Sequence, residues 1–396
     1  MHQTVSPENH TASSAPKTHS MKICILASEY FGWGKYGGLG CMSRRLAEAL
    51  AARGLDAHVI VPRRQTQPPY VFLNGVHVHG FGGMNLPEAR RLLLKVNPDL
   101  FHSQNPSVLT ALAQQVCPRA VHLVTCRDPL DAHDWWIEFR DATWHRRLWT
   151  PFNMVTEAGP LVSWAVKRAH GVYAPAWCVQ ARARRIYGLS QDPGILPNLI
   201  QVPDGMPVKN EQPTLTFVGR LDKRKHPERF LELVARFPDV CFQLVGKSDD
   251  AQQNQHLRAR FENLANLNWI GFVDFFQETE KMRAIFSKTW ALVNTASREG
   301  LPLTFMEAAA HGCAIVSQVD PDGFATRFGA CAHDGDFVPV LEKLLADPDA
   351  LLAKGRAAQA YIRKVYEQEH AVDVHLAVYE KHLAAGTRAT WHGLRK

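Results

Sequence analysis

The chain has 396 residues, of which 46% are hydrophobic and 21% charged, with a formal net charge of +7. That length suits two or three domains, and no stretch of about 18 uncharged apolar residues occurs, which excludes a spanning helix. The eight cysteines form no Cys-x-x-Cys pair and several lie in apolar runs, so they read as small buried hydrophobes in a reducing, cytoplasmic compartment.

Residues 1–20 hold Ser, Thr, Pro, His and Lys without an apolar core. They read as a disordered leader before Met21 rather than a secretory signal. Strands are then predicted at Lys22–Ala27, Ala57–Val61, Leu100–His102, Val121–Thr125 and Val172–Ala174. Helices are predicted at Cys41–Arg53, Leu86–Val96, Ser107–Gln115, Leu161–Ala169 and Cys178–Tyr187. This alternation argues for a parallel sheet with helices on both faces. The segment Gly194–Pro213 contains four prolines and reads as a linker.

The alternation then restarts. Strands are expected at 215–218, 241–245, 268–270, 290–293 and 313–317, and helices at 227–236, 253–265, 276–287, 302–311 and 336–346. Two helical patterns follow between Leu351 and Leu383. The boundaries are therefore a first lobe at 21–200, a linker at 201–213, a second lobe at 214–365 and a terminal helix at 366–396. In doubly wound sheets, ligands bind beyond the carboxyl ends of the strands, which places a cleft between the lobes.

The most informative stretch is Glu299-Gly-Leu-Pro-Leu-Thr-Phe-Met-Glu307. Pro302 suits the first position of a helix, where its missing N–H leaves nothing unpaired. The free amides of Leu303 and Thr304 would then face an anion favoured by the helix dipole. Upstream, Leu215–Gly219 reads as a buried strand followed by Arg220 and Lys225. Two cations at a strand's carboxyl end are placed to hold a diphosphate.

Together, Val-Gly-Arg-Leu-x3-Lys and Glu-x7-Glu resemble the donor site of retaining GT-B glycosyltransferases, the family called glycosyltransferase group 1 or family 4. The resemblance is strong over about residues 213–320. It implies an α/β GT-B fold, with two Rossmann-like lobes, parallel sheets, an inter-lobe cleft and a last helix crossing back to the first lobe. It further implies that Arg220 and Lys225 bind the diphosphate, Glu299 the donor sugar and Glu307 the ribose. Gly300, Leu301, Leu303, Thr304 and Gly219 line the same site, and the Gly271–Asp274 loop, with Phe272 and Val273, receives the base. Tyr36-Gly37-Gly38-Leu39-Gly40 resembles the loop that reaches over acceptor and phosphate, and glycine there permits close backbone approach. The substrate so implied is a UDP- or GDP-linked sugar, and the acceptor a glycan, lipid-linked or small-molecule hydroxyl. No cofactor is expected. The resemblance implies same-face attack, with the leaving phosphate taking the proton.

Val124–Pro129 ends a strand where many family members carry His-Asp, but this chain has Arg127-Asp128. Asp128 either orients the acceptor as a weak base or is a turn residue before Pro129. The run Gly32-Trp-Gly34-Lys-Tyr-Gly37 fits G-x-G-x-x-G, and Arg63-Arg64 would suit a 2′-phosphate. A dinucleotide fold needs strand, glycines and helix to be continuous, and here they are not. A nucleotide-sugar 2-epimerase of the same fold, a non-catalytic sugar-nucleotide binder and, remotely, an NADP-dependent dehydrogenase are the alternatives.

No metal is expected. His77-x-His79 puts two rings on one strand face without a third ligand, and Asp320-Pro-Asp322 and Asp347-Pro-Asp349 sit in turn contexts. Residues 1–200 carry 21 Lys and Arg against 13 Asp and Glu, net +8, while 201–396 carry 24 against 25, net −1. The basic half is either a solvated surface or a face for peripheral contact with an anionic membrane at its inner side. Nucleic acid is not an expected partner, because no binding motif or interleaved stacking aromatics accompany the charge.

Overall fold

The computed structural model describes residues 20–393 apart from 34–36, 65, 84, 143 and 249. The expected leader, except Ser20, lies outside them, as do Gly34, Lys35 and Tyr36 of the glycine-rich run. The first lobe runs β1 (Lys22–Leu26), α1 (Gly38–Ala52), β2 (Asp56–Arg63), β3 (Tyr70–Leu73), β4 (Val76–Gly82), α2 (Leu86–Val96), β5 (Leu100–Ser103) and α3 (Val108–Val116). It continues with β6 (Val121–Thr125), α4 (Ala132–Asp141), α5 (Trp144–Ala158), α6 (Pro160–Lys167), β7 (Gly171–Ala174), α7 (Trp177–Tyr187) and β8 (Gly194–Ile195). Its sheet has the order β3-β4-β2-β1-β5-β6-β7-β8, parallel except for the β3–β4 hairpin.

The second lobe runs β9 (Thr214–Val218), α8 (Pro227–Arg236), β10 (Cys241–Val245), α9 (Ala251–Phe261), β11 (Leu267–Gly271), α10 (Thr279–Lys288), β12 (Ala291–Asn294) and α11 (Leu303–Ala310). After it come β13 (Ala314–Ser317), α12 (Phe324–Phe328), β14 (Gly329–Cys331), α13 (Val338–Leu345), α14 (Pro348–Val365) and α15 (Gln368–Gly393). The sheet order is β11-β10-β9-β12-β13-β14, all parallel. β9 and β12 are neighbours, so the loops leaving their carboxyl ends lie side by side. Strands buried on both faces require near-continuous apolar runs, as in Leu215–Val218 and Ala291–Val293.

Two expected boundaries move at the cleft. Helix α1 starts at Gly38, three residues before the predicted Cys41, so Gly38 and Gly40 are helical rather than loop. Glycine is favoured at position 40 because an added Cβ would stand only 3.0 Å from the Phe31 backbone nitrogen. Pro302 is the residue capping α11 (φ −63°, ψ 131°) and not its first helical residue, which is Leu303.

The chain crosses between lobes twice. The first crossing follows β8, and the second joins α14 to α15. The two are tied where Ile200 N–H donates to Tyr366 C=O at 2.8 Å and Ile200 bridges Glu367. Beyond this point α15 packs on the first lobe, burying Ala371, Val372 and Tyr379 against β1, β2 and β6 residues such as Ile23, Val59 and Leu123. The Tyr379 hydroxyl lies 2.6 Å from His102 Nδ1, and His102 Nε2 lies 2.7 Å from Thr125 Oγ1.

Burial lowers the pKa of His102 well below the ordinary range, and takes His122 and His375 to about 4. Such histidines bind more protons unfolded than folded, so stability rises with pH across this window. It is intact above about pH 6.5 and falls as pH drops toward 4, by about 1.4 kcal/mol per pH unit for each ring. Urea unfolding at pH 7 and pH 5 should therefore give a clearly lower midpoint at pH 5, and His122→Gln should reduce the difference.

Candidate functional site at the mouth of α11

The loops after β9 and β12 touch through their backbones. Thr295 Oγ1 donates to the carbonyls of Lys225 and His226 at 2.7 and 2.9 Å, and Ser297 N–H donates to Arg224 C=O at 3.3 Å. This contact brings Lys225 Nζ into an ion pair with Glu299 Oε1, just ahead of α11. Burial alone would raise the Glu299 pKa, but Lys225, with Arg224 and Arg298 behind it, outweighs burial and holds the carboxyl below its usual range. Arg220 is partly exposed and pairs with Asp222 at 3.3 Å. Gly219 marks a crowded strand end, since a Cβ on Gly246 would collide with its carbonyl oxygen. Gly246 adopts φ +147°, so the close approach requires glycine at that position.

Helices α1 and α11 face each other across the cleft. A Cβ on Gly38 would lie 3.7 Å from Leu303 Cβ, and Arg45 Nη1 donates to Glu307 Oε1. Gly38 and Arg45 are seven residues apart on one helix, and Leu303 and Glu307 four apart on the other, so each pair shares a helix face. Glu307 is 4% exposed. Gly37 caps α1, and a Cβ there would meet Glu29 Oε2 at 2.5 Å.

Asp128 is clasped by the second lobe. Arg298 donates to it through Nη1 at 3.1 Å and Nη2 at 2.6 Å, and through Nε to Asp134 at 2.7 Å. Gly300 fits beneath, its Cβ position 3.3 Å from Asp128 Oδ1. Arg224 adds a further cross-cleft pair to Glu138 at 2.5 Å. Arg127, which takes the place of the family's His, points into the first lobe instead. It is buried and donates to Gln104 at 2.9 Å and to Asn198, and burial lowers its pKa to about 10.

In the β11 loop Val273 is buried, whereas Phe272 is exposed with Lys247 Nζ 4.4 Å above its ring. Leu301 is partly buried and packs on the cores of both lobes, and Thr304 is partly exposed at the amino end of α11. The aspartates at metal-like spacing act as helix caps. Asp322 accepts from the Trp177 and Cys178 amides of α7 at 2.9 and 2.6 Å, Asp320 accepts from Ala325 at 2.7 Å, and Asp347 from Ala350 at 3.0 Å. Sequence reasoning missed Arg45, Arg224 and Arg298, three cations that reach carboxylates across the cleft.

Residues 36–202 match the family described as Glycosyltransferase Family 4, and residues 204–329 match Glycosyl transferases group 1. The chain belongs to the group 1 glycosyltransferases. Among similar proteins is the phosphatidyl-myo-inositol mannosyltransferase of Mycolicibacterium smegmatis, 29% identical over 209 residues, which are 49% of this chain and 51% of that protein. The match therefore spans about half the length of that curated relative. Among solved structures, sucrose-phosphate synthase from Thermosynechococcus elongatus superposes with a TM-score of 0.72 at 17% identity, covering 92% of this glycosyltransferase and all of that chain. Anabaena HepE, solved with UDP-glucose, gives 0.66 at 15% identity over 91% of this chain and all of its own. At these identities the likeness establishes the GT-B fold.

The Arg45–Glu307 pair is nearly closed to solvent, so removing either partner strands a buried charge. A double-mutant cycle with Arg45→Met and Glu307→Gln should return a coupling of about 1–3 kcal/mol in chemical unfolding. A coupling indistinguishable from zero would show that the two groups do not meet.

Proposed function

We propose that this glycosyltransferase moves a sugar from a nucleoside-diphosphate sugar to an acceptor hydroxyl with retention at the anomeric carbon. The observation that carries this reading is the meeting of Lys225 and Glu299 at the mouth of α11. An incoming diphosphate takes over Lys225, with Arg220 and the amides of Leu303 and Thr304 completing its seat. Glu299, released from the ammonium, then accepts from sugar hydroxyls. The ribose diol replaces Arg45 on Glu307, and the base lies against the Phe272–Val273 loop. Cations and amides on the leaving diphosphate stabilise the charge that develops there. Both oxygens of Asp128 are engaged by Arg298, which favours same-face attack with the proton passing to the departing phosphate oxygen.

HepE was solved with UDP-glucose, and this favours a uridine-linked donor. A thermal-shift panel of UDP-, GDP- and ADP-sugars tests it. At 100 times its dissociation constant the true donor adds about 2.7 kcal/mol of stability, and a flat response to all three would sink the proposal. Lys225→Ala and Glu299→Ala should each lower kcat by about 100- to 1000-fold with the far-ultraviolet circular dichroism unchanged. Product configuration read by NMR decides retention against inversion.

The acceptor we propose is lipid-linked, reached at an anionic bilayer. An exposed apolar stripe on α5, with Leu148, Phe152 and Val155 at helical spacing beside Trp149, supports this, as does the +8 charge of residues 1–200. No helix among the described residues is long and apolar enough to cross a membrane. Co-sedimentation with phosphatidylserine vesicles should fall with added salt and on Trp149→Ser. Equal partitioning of variant and parent would remove this stripe from the contact.

A further inference from the structure

At the amino ends of β2 and β4, remote from the cleft at the strands' carboxyl ends, the first lobe gathers Asp56, His58 and His77 on one sheet face. Asp56 and His58 alternate along β2, and His58 is the register partner of His77 on β4. Their rings stack with centroids 4.6 Å apart. Asp56 Oδ1 stands 3.1 Å from His58 Nε2 and 3.8 Å from His77 Nε2, and one ligand atom from each residue falls within 4.8 Å of the others. Zinc–nitrogen bonds of about 2.1 Å in a tetrahedron separate ligand atoms by roughly 3.4 Å, so small side-chain rotations suffice.

The far side of each ring is also provided for. His58 Nδ1 lies 3.0 Å from His79 Nε2, and His77 Nδ1 lies 2.8 Å from the Tyr70 hydroxyl. A histidine that binds metal through Nε2 must carry its proton on Nδ1 and donate it, and here both rings face an acceptor. Lys22 Nζ stands 3.7 Å from the other oxygen of Asp56. All three side chains are partly exposed, so an ion can enter. The other such cluster among the described residues, Asp320, Cys331 and His333, has Asp320 already engaged as the cap of α12.

We propose that Asp56, His58 and His77 form a binding site for a divalent transition ion of zinc type, with water completing the tetrahedron. Two imidazoles and one carboxylate select zinc-like ions over magnesium or calcium, which prefer oxygen ligands. The ligands come from two strands, so the ion fastens the β3–β4 hairpin to the body of the sheet. It plays no part in sugar transfer, and the proposal is independent of the donor reading.

Calorimetric titration of the full chain with Zn2+ tests it, with Cys331→Ser as background to remove the competing cluster. One equivalent should bind, binding should be lost in His77→Gln, and Tyr70→Phe, which removes no ligand, should weaken it about 10- to 100-fold. Co2+ in place of zinc should give the visible absorption of a tetrahedral site, absent in His77→Gln. No binding by the parent, or equal affinity in His77→Gln, overturns the assignment. Should His77→Gln fail to fold, Tyr70→Phe at the exposed Tyr70 decides, unchanged affinity there counting against the site.

Discussion

Glu299 is partly buried ahead of α11, and Lys225, Arg224 and Arg298 hold its carboxylate ionised there. The arrangement follows from strand order. β9 and β12 are adjacent, so the residues leaving their carboxyl ends must share a small volume. Ammonium and carboxylate compensate one another there, and loss of the ammonium would leave the carboxylate without its nearest counter-charge.

The same economy recurs across the interface between lobes. Arg45 reaches Glu307, Arg298 reaches Asp128 and Asp134, and Arg224 reaches Glu138. Each pair joins a residue of one lobe to a residue of the other. Charge pairs suit a joint that has to open, since apolar burial of the same area would resist separation without offering a ligand anything to bind.

Much of the second lobe was legible in the sequence. Apolar runs ending in glycine, as at Leu215–Gly219, and Pro227 opening α8 are local signals, and the elements fall where those signals stand. The first lobe was read less completely. The β3–β4 hairpin went unpredicted although Asn74-Gly75, both at positive φ, is a strong two-residue turn signal. Helices α4 and α5 are not among the predicted elements, and Pro151 inside α5 is a residue that ordinarily interrupts a helix. In the sequence Arg45 stands only within the basic excess of residues 1–200. What placed it was its spacing of seven from Gly38 on a helix aimed at the cleft, and that became visible only once the start of α1 was known. His77 was grouped with His79 along its own strand, whereas its partners across the sheet depend on register, which local sequence does not encode.

The tie between Ile200 and Tyr366 has a mechanical consequence. A single covalent thread between two bodies would let one swivel freely against the other. Two threads fastened side by side leave bending about the line through them as the easy movement and resist torsion. Any relative movement of the lobes would then be a bend about that line, returning Gly38 to the same spot on α11.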